Sequence, residues 1–131
     1  MQNDRILVVD DNPVNMKLIR VLLSGEGYEI RTACDANEAL SVLQEFRPDL
    51  ILMDIQLPGI DGLELTRRLK AAPATRAIPV LGLTAYAMKG DEERILAAGC
   101  DGYIPKPINT RTLPNFIREC LQRSAIQSET R

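Results

Sequence analysis

The sequence predicts a single doubly wound α/β domain: a five-stranded parallel sheet in the order 2-1-3-4-5 with five helices. Three observations predict it. Ile6-Leu7-Val8-Val9 and Leu50-Ile51-Leu52-Met53 are apolar runs too short for a helix and without polar alternation, as strands buried on both faces require. Segments of helical spacing separate runs of this kind along the chain, with short connections and no internal repeat. Both runs end in acid, Asp10-Asp11 and Asp54. Ligands of such sheets bind at the carboxyl ends of the strands, where the strand order reverses.

The first strand covers Ile6 to Val9. A helix follows from Pro13, with Asn12 as its N-cap and Pro13 at its first position. Val14, Leu18, Val21 and Leu22 give it an apolar spacing, and Gly25 or Gly27 ends it. Glu29 to Ala33 is the second strand. Ala36 to Phe46 is a helix with Ala39, Leu40 and Leu43 on one face, stopped before Pro48. Leu50 to Met53 is the third strand, Gln56 to Asp61 a loop around Pro58-Gly59, and Gly62 to Ala72 a helix. Pro79 to Leu83 is the fourth strand, and Ala87 to Ala98 a helix closed by Gly99. Gly102 to Ile104 is a short fifth strand and Thr110 to Arg123 the last helix. The domain thus spans residues 4–123. Residues 124–131 form a polar tail that is expected to fray. Two neighbouring strands bearing the acids give the sheet the flavodoxin-like order.

Composition narrows the function. The chain has 131 residues, 45% of them hydrophobic, enough for one core that needs no staples. A net charge of −2 gives no reason to expect nucleic acid or an anionic membrane as partner. Cys34, Cys100 and Cys120 have no CxxC spacing, which argues for a reducing compartment and against disulfides and zinc. There is neither a signal peptide nor an apolar stretch of membrane-spanning length, so the expected location is the cytoplasm. Histidine is absent. No His triad, His base or His metal site is possible, and any phosphohistidine must come from a partner.

The strand ends define the chemistry. Asp10, Asp11 and Asp54 put three carboxylates in one crevice, and such a cluster needs a cation. Oxygen-only ligands suit Mg²⁺, which keeps several waters and works on phosphates. Thr84 follows the fourth strand and Lys106 the fifth, adding a hydroxyl and an ammonium to the same edge. Three acids, one hydroxyl and one lysine suit phosphoryl transfer, with one carboxylate as nucleophile becoming an aspartyl phosphate. Taken singly, each residue has a plainer reading. A strand-end Asp caps or turns, Thr84 caps the next helix, Lys106 is a solvated lysine, and Tyr103 is half-buried packing. Asn12 and Asn15 are a cap and a surface residue, and Asp91-Glu92-Glu93-Arg94 is a solvated helix face.

Over roughly residues 4–123 the chain resembles the receiver domains of two-component response regulators. The matching residues are Asp10-Asp11, Asp54 with Pro58 and Asp61-Gly62, Thr84-Ala85, and Lys106-Pro107. The segments from Asp11 to Leu18, from Leu52 to Pro58 and from Ala87 to Ile95 look like single-domain regulators of the DivK type and hybrid-kinase receivers. Leu57 stands where many members carry Met, a change that conserves volume.

The resemblance implies roles residue by residue. Asp54 would accept the phosphoryl group. Asp11, Asp54 and the backbone carbonyl of Gln56 would ligate Mg²⁺, with Asp10 reaching it through water. Lys106 would pair with the phosphoryl group, Thr84 would donate a hydrogen bond to it, and Ala85 would leave room beside it. Tyr103 matches the switch aromatic, and the Lys106–Pro107 bond would be cis. The donor would be a histidine kinase or a histidine phosphotransfer protein, and the output altered affinity for a downstream protein target. The chain would be a signalling switch rather than an enzyme, catalysing only its own phosphorylation and dephosphorylation, as a monomer or weak homodimer. Donor docking would use Val14, Asn15 and Leu18 with Ile108, although Leu18 also reads as core. Gln56 and Ala85-Tyr86 flank the expected path of water to the phosphoryl group.

Other classes compete. A phosphatase of the haloacid dehalogenase type needs a second Asp two residues after the nucleophile. Here Gln56 follows Asp54 and Asn12 follows Asp10 at that spacing. A flavin-binding flavodoxin needs a Ser/Thr/Gly-rich phosphate loop after the first strand, where this chain has acid. Within the receiver class, Met1 and the polar tail favour a free-standing protein over a module of a hybrid kinase.

Overall fold

A computed structural model describes residues 4–56, 62–84, 89–106 and 108–129. Its elements run β1 (Arg5–Val9), α1 (Pro13–Ser24), β2 (Glu29–Ala33), α2 (Ala36–Glu45), β3 (Leu50–Asp54), α3 (Gly62–Ala71), β4 (Val80–Thr84), α4 (Lys89–Ala97), β5 (Gly102–Pro105) and α5 (Leu113–Glu129). The five strands form one parallel sheet in the order β2-β1-β3-β4-β5, as expected.

Alternation along the strands divides the core in two. Leu7, Val9, Ile51, Met53 and Val80 face a cluster with Ala39 of α2, Leu65 and Leu69 of α3, and Ile95 of α4. Ile6, Val8, Leu50, Leu52, Leu81 and Leu83 face Ile19 and Leu23 of α1 and Leu113, Ile117 and Leu121 of α5. Every residue of β3 and β4 is buried, which is why these runs carry no polar alternation.

Helix ends follow local chemistry. The Asn12 side chain accepts from the N–H groups of Val14 (2.9 Å) and Asn15 (3.3 Å), capping α1 ahead of Pro13. At α2 the Asp35 side chain accepts from Glu38 N (2.8 Å), while Glu38 reaches back to Cys34 N (2.9 Å). On the amino-end edge of the sheet, Lys70 Nζ donates to the Ile78 carbonyl (2.8 Å) and to Asp101 Oδ2 (2.9 Å). Asp101 Oδ2 also accepts from Val80 N (2.8 Å), so one buckle joins the end of α3 to the starts of β4 and β5.

The structure corrects the sequence reading in two places. Of the four apolar positions assigned to α1, only Leu22 packs against the core; Val14 is 73% exposed, Val21 64% and Leu18 37%. The helix carries more apolar residues than one stripe holds. Met16, Ile19 and Leu23 take the sheet side with Leu22, and a second stripe faces outward. The last helix begins at Leu113, because the Asn109 side chain accepts from the N–H groups of Arg111 and Thr112 and holds that segment as a turn. It runs past Arg123 to Glu129, where the sequence suggested a frayed tail. The expected start of α4 at Ala87 lies outside the described residues.

Candidate functional site

Parallel pairing delivers the predicted residues to one edge. β1 flanks β3, with Val9 opposite Met53, so the residues after Val9 and at the end of β3 are neighbours. Asp10 leaves β1 with its N–H on the Ala33 carbonyl (3.0 Å) and its Oδ1 accepting from Asn12 N (2.9 Å). That local turn aims the carboxylate inward, and the residue is wholly buried. Asp11 stays exposed. Asp54 closes β3, is 3% exposed, and accepts from Gln56 N at its Oδ1 (3.0 Å). Ligand oxygens of Asp10, Asp11 and Asp54 lie within 4.8 Å of one another.

One cation faces them among the described residues. Lys106 follows β5, held by its N–H on the Thr84 carbonyl (2.7 Å). Its Nζ stands 3.2 Å from Asp54 Oδ1 and 3.8 Å from Asp10 Oδ2. The latter oxygen is buried and has no hydrogen-bond partner among the described residues. A buried acceptor with nothing to accept costs about 1–3 kcal/mol. Two buried acids, one exposed acid and one lysine leave excess negative charge. Burial raises the Asp54 carboxyl above the ordinary range, and the Asp10 carboxylate adds to the rise against the Gln56 N–H and Lys106. An oxygen-rich, under-neutralised crevice with an orphaned carboxylate oxygen fits a hard divalent cation such as Mg²⁺.

Thr84 ends β4 and is buried, one residue beyond the Leu83 that pairs with Asp54. Tyr103 lies on β5 opposite Gly82 and packs against the cluster under α4. Its hydroxyl donates to the Glu92 carboxylate of α4, which raises the phenol above its ordinary range. A groove of about 300 Å³ opens beside Tyr103, lined by Pro105, Asn109, Thr112 and Phe116.

The structure therefore brings together Asp10, Asp11, Asp54 and Lys106, with Gln56 touching Asp54 through its backbone and Thr84 at the neighbouring strand end. Tyr103 stands away from the crevice, toward α4. Ala85, Tyr86, Pro58, Asp61 and Pro107, together with the cis geometry expected at Lys106–Pro107, lie outside the described residues. Sequence reading missed three participants. Backbone N–H groups of Asn12 and Gln56 orient the two buried acids, and the signal was the spacing of each acid two residues before a donor. Glu92, read as part of a solvated face, is the partner of the Tyr103 hydroxyl.

Comparison with known proteins matches this geometry. The family model described as the response regulator receiver domain matches residues 6–118. The polar-differentiation response regulator DivK of Brucella anthropi is 53% identical over 112 residues, covering 86% of this chain and 89% of that protein. Among solved structures, a CheY-like response regulator receiver domain protein from Methanospirillum hungatei superposes with a TM-score of 0.87 at 32% identity, covering 96% of this chain and 99% of the other. The receiver domain of a sensor histidine kinase from Pseudomonas aeruginosa PAO1 has a TM-score of 0.79 at 37% identity, covering 93% and 97%. That domain was solved with a magnesium ion coordinated in its active site cleft. No helix among the described residues is long and apolar enough to cross a membrane.

Proposed function

This chain belongs to the response regulator receiver domain family, and from that premise we propose a phosphorylation switch of a two-component phosphorelay with Asp54 as the acceptor. The observation that carries the reading is the convergence of Asp10, Asp11 and Asp54 within 4.8 Å, with Lys106 3.2 Å from Asp54 and one Asp10 oxygen left without a partner. The residues of the unit are taken as 4–123, with α5 running on from it into the polar segment 124–131 as far as Glu129.

Membership of the family points to a phosphohistidine donor, and these residues include no histidine, so the donor is a histidine kinase or histidine phosphotransfer protein acting as partner. An Asp54 carboxylate oxygen attacks phosphorus, the phosphorus–nitrogen bond breaks, and the imidazole leaves and takes up a proton. Asp54 does this as the anion. Burial opposes that form, and the Gln56 N–H and Lys106 favour it. Asp11, Asp54 and the Gln56 carbonyl would hold Mg²⁺, with Asp10 acting through water. Bound there, the ion supplies neutralising charge to the phosphoryl oxygens in flight. Lys106 takes another oxygen, and the Thr84 hydroxyl donates to the product. The family resemblance gives Ala85, as a small residue, the part of leaving room for it.

The product adds negative charge to a buried site. Thr84 moves toward it, Tyr103 gives up Glu92 and turns inward, and the surface of α4, β5 and α5 around the 300 Å³ groove changes for a downstream protein target. The exposed Val14 and Leu18 of α1, with Asn15 and Ile108, receive the donor beside the crevice. Self-catalysed loss of the phosphoryl group resets the switch, and a protein of this kind works in the cytoplasm as a monomer or weak homodimer.

The test is intact mass after incubation with Mg²⁺ and acetyl phosphate, for the wild type and Asp54→Asn. One added phosphoryl group in the wild type and none in the variant is expected. Uptake by the variant would overturn the assignment. So would no uptake by the folded wild type from acetyl phosphate or from a phosphorylated histidine phosphotransfer protein.

A further inference from the structure

Gly62 opens α3 and is buried against the turn that follows the phosphoacceptor. A Cβ built there would stand 2.9 Å from Asp54 C and 2.9 Å from Ile55 Cα, and closer still to the Asp54 carbonyl oxygen. All three atoms are backbone, so no side chain can swing away to make room. The glycine is therefore needed for proximity, not for an unusual φ. Its N–H donates to the Ile55 carbonyl (3.0 Å), and its own carbonyl accepts from Thr66 Oγ1 (2.7 Å), a buried hydroxyl one helical turn on. On the far side of the same turn, Gln56 N holds Asp54 Oδ1. Residues 54–56 are thus pinned between the first turn of α3 and the carboxylate they present.

We infer that Gly62 is a positioning residue for the cation and phosphoryl site: its bare Cα lets α3 press on the Asp54–Gln56 turn and fix the Asp54 carboxylate and the Gln56 carbonyl relative to each other. This inference rests on the phosphorylation reading above. A methyl group at position 62 pushes the turn outward and separates two groups that must meet one ion.

The test compares Gly62→Ala with Gly99→Ala. Gly99 lies at the opposite edge of the sheet with φ +110°, and a Cβ there meets Lys70 Cγ at 2.8 Å, so that variant is also strained but far from the crevice. In the folded Gly62→Ala variant, Mg²⁺ affinity followed by calorimetric titration should fall roughly 10–100-fold. Phosphoryl uptake should slow at limiting Mg²⁺ and recover as Mg²⁺ is raised. Gly99→Ala should lower the unfolding midpoint and keep wild-type Mg²⁺ affinity. Wild-type Mg²⁺ affinity in folded Gly62→Ala overturns the inference, as does an equal loss in both variants. Should Gly62→Ala not fold, amide hydrogen exchange of the wild type decides. By linkage, saturating Mg²⁺ must raise protection of the Gly62 amide more than that of the Gly99 amide, which donates to Leu96 O at the far edge. An equal rise, or none, overturns it. Absence of phosphoryl uptake by the wild type, with Mg²⁺ affinity still sensitive to position 62, would sink the parent reading and leave the cation-site inference standing.

Discussion

Replacing Asp10 by Asn tests the electrostatics of the crevice. At an effective dielectric of about 20, two unit charges 4.8 Å apart, the outer limit for Asp10 and Asp54, repel by about 3.5 kcal/mol. Attraction between Asp10 and Lys106 at 3.8 Å comes to about 4.4 kcal/mol on the same scale. The two offset to within about 1 kcal/mol, and the exposed Asp11 tilts the balance toward repulsion. The orphaned Oδ2 then decides the sign. An Asn keeps the acceptor for Asn12 N and puts an amide donor where the carboxylate had an unpartnered oxygen, removing a penalty of about 1–3 kcal/mol. Lys106 keeps Asp54 at 3.2 Å. Asp10→Asn is therefore expected to be about 1–3 kcal/mol more stable than the wild type in EDTA, each kcal/mol being worth roughly 3–5 °C in Tm at this chain length. Added Mg²⁺ should close the gap. Occupancy at ten times Kd stabilises the wild type by about 1.4 kcal/mol, and the variant has one carboxylate fewer to draw the ion. Urea and thermal unfolding with and without Mg²⁺ measure both effects. A variant less stable than the wild type in EDTA, or an equal Mg²⁺ shift in both proteins, would refute the reasoning.

Three further outcomes are expected. The Asp54 carboxyl is raised in the folded protein, so folding binds its proton more tightly than the unfolded chain does. Its contribution to stability is present at low pH and lost as pH rises through the raised value. In EDTA, Asp54→Asn should therefore exceed the wild type in urea midpoint near pH 7, and the difference should shrink toward pH 4. Leu52→Ala, at a fully buried strand position packed under α1 and α5, should cost about 2–5 kcal/mol in urea unfolding. Val14→Asp, at a side chain 73% exposed, should change stability by less than about 0.5 kcal/mol and slow transfer from a phosphorylated donor protein. Unchanged transfer would remove α1 from the docking surface.

Much of this was legible because buried parallel strands write themselves as uninterrupted apolar runs. Leu50 to Met53 could hardly be anything else, and the acid after it had to fall at the carboxyl edge. Convergence of Asp10, Asp11, Asp54 and Lys106 follows from strand order alone. The face of α1 was not legible. Val14, Leu18 and Val21 share the spacing of Ile19 and Leu23, and only the position of the sheet says which stripe is covered. The last helix was misplaced at both ends for local reasons. Asn109 spends its side chain on a turn before Leu113, and the helix carries on to Glu129 through a segment whose polar sequence gives no apolar periodicity to mark it. Gly62 could be seen, but not its task, since a glycine required for closeness to a neighbouring backbone looks in sequence like one required for a turn.

The buckle at Lys70 gives the sheet a fixed root. β4 and β5 begin where Lys70 and Asp101 bolt them to α3, and they end at Thr84 and beside Lys106, at the margin that holds Asp54. Strands clamped at one end and loaded at the other behave as a cantilever, in which deflection is greatest at the tip and vanishes at the wall. If Asp54 takes up charge as proposed, the tips of both strands, Thr84 and Pro105, should deflect together beside the groove, while the bolted margin stays in register. A substitution at the root should then leave the signal untouched, and one near the tip should stiffen or soften it.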